Sequence, residues 1–180
     1  MWKPFNTITP ATTLPTIDGL SAMTTYKLLR VRQGKLYPMF VERQRETPMG
    51  QWLKASIGEL ADSTHVKSPG IGKLSLRPGW HSCTVPFTDW IGKKQGGTLV
   101  QRKDTVWCEC EVDGEQVFPT ARNGLRTIPE GWYYFRTKPG QPFPWIISDR
   151  IRINRILSRA EVEKLCRDHG VEAQRMEDEI

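Results

Sequence analysis

The sequence predicts an α+β domain built on a bent or split antiparallel β-sheet of about six strands, with few helices. Three observations lead there. Thirteen prolines and fifteen glycines in 180 residues punctuate the chain too often for a helical bundle. Several short segments carry apolar residues at every second position, the period of a strand. One segment near the C-terminus carries both the start and the stop signals of a helix. A hydrophobic content of 38% supplies the core of one domain of ordinary size.

Residues 1–22 are rich in Thr and Pro and carry no period, so they read as an extended or disordered arm. The packed domain is expected over 23–170, followed by an acidic tail over 171–180 with Glu172, Glu177, Asp178 and Glu179. TTYKLLRVR reads as a strand, Gly34 as a turn, and LYPMFVER as the second strand of a hairpin. Between Pro48 and Pro78 the signals mix. PMGQWLKASIGELAD suggests a short helix or turn, and the stretch after it a loop holding His65, with a short strand at its end. Phe87, Trp90 and Ile91 follow Pro86 at i, i+3, i+4 and suggest a helical turn. GGTLVQRKD reads as a turn or loop.

TVWCECEV is the clearest strand. Val106, Cys108, Cys110 and Val112 fall on one face; Trp107, Glu109 and Glu111 fall on the other. EGWYYFRTKPG and PWIISDRIRINRIL are two more strands around a Pro-rich turn. A helix is expected near 158–169. Ser158 and Glu161 form a capping box, Val162, Leu165 and Cys166 an apolar stripe, and Gly170 the stop.

The net charge of +6 is concentrated. Positions 26–54 hold seven Lys or Arg against two acids, and 149–159 four arginines against one acid. No apolar run approaches the roughly 18 residues of a membrane span, so no membrane partner is expected. The start lacks the basic-then-apolar pattern of a secretion signal, and four cysteines without framework spacing fit a reducing cytoplasm.

Four soft ligands, His81, Cys83, Cys108 and Cys110, suggest zinc. Residues i and i+2 on a strand stand about 7 Å apart, a poor bite for one ion. No metal is therefore expected, and the cysteines read as core. Cys83 with His81 or His169 lacks a third group to orient a nucleophile. Arg150, Arg152 and Arg155 with Trp132 and Trp145 form a candidate surface for a nucleic acid or another partner, through phosphate contacts and stacking. Arg150 and Arg152 share one strand face, Ile151 and Ile153 the other.

GWHSCTVPFTDWI, VWCECEVDG and PWIISDRIRINRIL, over roughly residues 77–157, together resemble successive segments of the ADP-ribosyltransferase fold, in its poly(ADP-ribose) polymerase-like branch. The resemblance implies a cleft for NAD with a stacking ring, a first-strand cation and a carboxylate. The stacking tyrosine falls on His81, the first-strand cation on Arg30 or Arg32, and the catalytic glutamate on Pro144, which has no carboxylate. Glu130 is the nearby acid that could replace it. Over about 25–170 the chain is also similar to small proteins and polyvalent-protein modules of bacteriophages and mobile elements, through YKLLRVRQGKLYPMFV, RPGWH, the Ile-Ile strand and NRILSRAEVEKL.

Together these resemblances imply an accessory protein of a phage or mobile element, in the cytoplasm of a bacterial host. It would bind a host protein or a protein–nucleic acid complex in an anti-defence role, with an impaired cleft and no cofactor. One alternative is a divergent ADP-ribosyltransferase or NAD-binding protein using His81, Arg30 or Arg32, and Glu130. Another is a nucleic-acid-binding or virion structural protein.

Overall fold

A computed structural model describes residues 13–15, 21–68, 72–120 and 124–178. In chain order its strands begin with β1 (Thr13–Pro15), β2 (Ser21–Arg32), β3 (Lys35–Tyr37), β4 (Trp52–Lys54) and β5 (Leu60–Asp62). They continue with β6 (His65–Ser68), β7 (Gly72–Ser75), β8 (Trp80–Cys83), β9 (Lys93–Gln95) and β10 (Thr98–Val100). Then come β11 (Thr105–Asp113), β12 (Trp132–Phe135), β13 (Trp145–Ser148) and β14 (Arg150–Ile156), and the α-helix α1 (Arg159–Asp168). The class is α+β, mostly antiparallel sheet. No described helix is long and apolar enough to cross a membrane.

The main sheet has the order β12-β13-β8-β2-β11-β14-β4, with β1 and β3 also paired to β2. Its strongest seam joins β2 to β11 over nine register pairs, from Thr105–Arg30 to Asp113–Ala22. Its weakest joins β2 to β8 through the single pair Tyr26–Cys83. The sheet therefore splits there into two halves. PWIISDRIRINRIL, read as one strand, is divided at Asp149: β13 belongs to one half and β14 to the other. Asp149 is tied down where it crosses, its carbonyl accepting from Ala55 N–H and its carboxylate from Lys54.

The halves pack face to face. Ile146, Trp80, Trp132 and Tyr134 of one half join Met23, Leu29, Cys108, Cys110, Val112, Ile151 and Ile153 of the other. The Trp80 indole N–H donates to the Leu53 carbonyl across this layer. On the opposite side, Tyr26, Leu28, Cys83, Val85 and Trp107 pack against Leu157, Val162 and Cys166 of α1 and its approach. The alternation expected of TVWCECEV thus feeds two cores.

Turn chemistry explains the hairpins. Gln33 and Gly34 both take positive φ (51° and 74°), and so do Gly96 and Gly97 (60° and 80°), matching the twist of the strands they join. β3 ends before Pro38, which cannot extend a ladder. GGTLVQRKD holds the Gly96–Gly97 turn and, beyond a turn or loop, the strand β10 that pairs with β9, and β5, β6 and β7 form a three-stranded sheet. No helix forms over 48–62; Trp52–Lys54 instead pairs with the edge of β14.

The helical turn expected after Pro86 is absent. The Thr88 hydroxyl accepts from Trp90 N–H, a local turn that competes with the helix, and Gly92 at φ 150° ends any continuation. Ser158 does cap α1 by accepting from Glu161 N–H, but the Glu161 carboxylate turns to Arg155, so the capping box is half made. Gly170 at φ 76° closes the C-terminus. Of the tail, residues 171–178 return to the domain: Arg175 and Glu177 main-chain groups bond Gln101, and Lys93 pairs with Glu177. Of the expected arm, Thr13–Pro15 pairs with Ser21–Met23; the remainder before Ser21 lies outside the described residues.

Candidate binding cleft

The register of β2 and β8 would place Leu28 opposite His81, but the ladder stops at Tyr26–Cys83. A side chain takes the place of the missing backbone bond. The Lys27 ammonium donates to the His81 carbonyl at 2.7 Å and lies 5.7 Å from the Trp80 ring centroid. Lys27 is only partly exposed, and no carboxylate among the described residues pairs with it. Burial accordingly lowers its pKa from the ordinary lysine value.

The split opens a cleft of about 950 Å³. Lys27, Arg77, His81, Trp145 and Phe135 line its wall; the loop after β3 and residues of β6 and β7 complete it. His81 is half-buried. Its Nδ1 lies 3.1 Å from the Gly79 carbonyl, which can only accept, so Nδ1 carries the proton and Nε2 is left as an acceptor. Burial first, and then the Lys27 and Arg77 charges, push the His81 pKa down to about 4, so the ring is neutral at physiological pH. Trp145 meets it edge to face at 6.2 Å, its indole N–H donating to the Thr137 hydroxyl.

Arg77 stacks on Phe135 at 4.4 Å, and its buried Nε has no hydrogen-bond partner among the described residues. Two cations without carboxylate partners among the described residues thus stand close enough to His81 to shift its pKa. The acids lining the cleft, Glu42 and Glu46, belong to the loop after β3. Glu42 accepts from Ser56 and Glu46 pairs with Lys35.

Of the residues that the sequence suggested for a transferase site, only His81 lines the cleft. Arg30 donates to the carbonyls of Pro38 and Arg43 and stacks on Tyr37, a structural role. Arg32 is exposed and bonded to Gln44. Glu130 is exposed and does not line the cleft; Pro144 is buried. Lys27 and Arg77 were not singled out from the sequence. Their one sequence signal is a cation inside an apolar strand and another immediately before Pro-Gly-Trp-His.

The arginine stripe is neutralised. Arg150 forms a bidentate pair with Asp113, Arg152 bonds Glu111 at 2.8 Å, and Arg155 reaches Glu109 and Glu161. The neighbouring β11 supplies an acid opposite each arginine, and Arg150 and Arg152 both lie against the Trp52 ring. Trp132 is half-buried and donates to the Gly114 carbonyl. Of the five residues grouped as a surface, Trp145 alone lines the cleft.

All four cysteines are buried thiols. Burial pushes Cys83 and Cys108 up to about 12 and Cys166 to about 11, and raises Cys110 well above the usual thiol range. Cys83 packs in the core beside α1, Cys108 and Cys110 in the other core. Among the described residues no three His, Cys, Asp or Glu side chains are grouped to hold a metal ion. Comparison of the chain with protein-family models, curated proteins and solved structures found no match.

Proposed function

We propose that this chain acts by binding, and that its seam cleft holds an anionic ligand with an aromatic ring, a dinucleotide such as NAD being the first candidate. One observation carries the reading: Lys27 and Arg77, both without carboxylate partners among the described residues, stand near a neutral His81 beside Trp145. A diphosphate supplies the missing charge, and the rings of Trp145 and Phe135 supply apolar contact for a base or nicotinamide. The split sheet fits the resemblance to the ADP-ribosyltransferase fold. Buried Pro144 at the expected glutamate, and Glu130 away from the cleft, favour binding without transfer, because neither position offers the cleft a carboxylate for an oxocarbenium-like transition state. Origin in a phage or mobile element, action in a bacterial cytoplasm and a host protein target belong to the same proposal and rest on the second resemblance.

Calorimetric titration of NAD and ADP-ribose into the whole chain, with product analysis, tests it. Binding without nicotinamide release, lost in Arg77→Met, is expected. Nicotinamide release would restore the transferase reading; no heat with either ligand would remove the nucleotide.

A further inference from the structure

Among the described residues the ammonium of Lys27 has one hydrogen-bond acceptor, a main-chain carbonyl, and one aromatic neighbour. Lysines that sit in a protein interior without a carboxylate are poised to give up their proton, and the free amine is a nucleophile. Here the amine lines the wall of an open cleft, with an unpartnered guanidinium nitrogen at Arg77 and the acceptor Nε2 of His81 nearby. We infer that Lys27 is an imine-forming lysine, and that the cleft takes an anionic aldehyde or reducing-sugar phosphate whose carbonyl condenses with it. This rests on the anion-binding reading of the cleft but not on NAD as the ligand.

The chemistry is a dehydration. The neutral Nζ attacks the carbonyl carbon, the C=O π electrons pass to oxygen, and a proton moves from nitrogen to oxygen to give a carbinolamine. Loss of that hydroxyl with a second proton releases one water and leaves C=N. No electron donor or acceptor is needed. Arg77 holds the anionic group; the lowered pKa of Lys27 raises the share of free amine at neutral pH.

The experiment uses pyridoxal 5′-phosphate as an anionic aromatic aldehyde. The whole chain is exposed to it at pH 7.5, the imine is reduced with borohydride, and each lysine is quantified by peptide mass spectrometry. Lys27 should be labelled faster than the exposed lysines, the order that its lowered pKa gives. Its preference should fall in Arg77→Met and with pyridoxal lacking the phosphate. Labelling spread over exposed lysines with Lys27 spared overturns the inference, and so does selective Lys27 labelling indifferent to Arg77 and phosphate. The parallel NAD titration separates the two proposals. Nucleotide binding with Lys27 spared leaves the binding reading and removes this one; selective labelling without nucleotide binding does the reverse.

Discussion

Lys27 of β2 donates to the main-chain oxygen of His81 of β8 where the ladder between those strands has ended. A side chain thus holds the mouth of the split at a fixed width. Lys27 has a folded-state pKa below its unfolded value of about 10.5, so between the two values the unfolded chain binds more protons. Stability therefore rises with pH through that window. Between pH 8 and pH 10 the urea midpoint of the wild type should gain on that of Lys27→Met; parallel midpoints would show that the ammonium is not desolvated.

His81 gives the opposite end of the pH scale. Its pKa near 4 lies below the ordinary 6.5, so the folded chain binds fewer protons than the unfolded one between those values. The stability that neutral His81 contributes is present above pH 6.5 and is lost as pH falls toward 4. Denaturation midpoints at pH 7 and pH 4.5 should fall less in His81→Gln than in wild type. Equal losses would place the acid sensitivity in the carboxylates.

The β11–β14 ion pairs differ by burial, not by geometry alone. Glu111 is 4% exposed and Arg152 23%, so Glu111→Ala leaves an arginine half inside the protein with no counter-charge. It should cost about 3 kcal/mol. Arg155 is 50% exposed and keeps Glu161 as a second partner, so Glu109→Ala should cost under about 1 kcal/mol. Chemical denaturation of both variants checks the contrast, and a reversed order would refute it.

Two glycines separate conformational need from steric need. At Gly131 a Cβ would meet the Glu115 carbonyl oxygen at 2.1 Å, with φ at 149°. At Gly96, φ is 60° but the space is open. Gly96→Ala should therefore lose about 1 kcal/mol, the left-handed penalty alone. Gly131→Ala must also move backbone, and should lose several times more in a thermal unfolding scan; similar losses would mean that residues 115 and 131 part without strain.

The sequence carried local structure well wherever one period or one turn governed it. TVWCECEV declared its faces, and Ser158 to Gly170 declared a helix bounded within a residue at each end. Short pairings were less legible. Leu60–Asp62 and Lys93–Gln95 become strands because partners exist beside them, not because three residues prefer to extend. The break at Asp149 was invisible because apolar alternation runs on through IISDRIRI while the chain changes half-sheet.

The site was half legible for a related reason. His81 and Trp145 stand out as aromatic residues in marked segments, and they do meet. Arg150, Arg152 and Arg155 looked like a bare basic stripe because their acids lie about 40 residues earlier, on β11. Lys27 carries no mark in the sequence beyond being a cation within a strand-forming segment. Only the early end of one ladder turns it into a cleft residue.

The pairing of β2 with β11 also sets an order in time. Leu29 must wait for Val106, and Met23 for Val112, before its main-chain groups find their ladder. During synthesis the twelve residues of β2 emerge from the ribosome well before their principal partner, with the short strands β1 and β3 to engage at first. Closing so long a loop is slow compared with making a turn. The nascent chain thus exposes an apolar, strand-forming segment for seconds at ordinary elongation rates. That interval, rather than the finished fold, is when the chain is most open to misassociation, and Lys27, Arg30 and Arg32 are the charges that guard it.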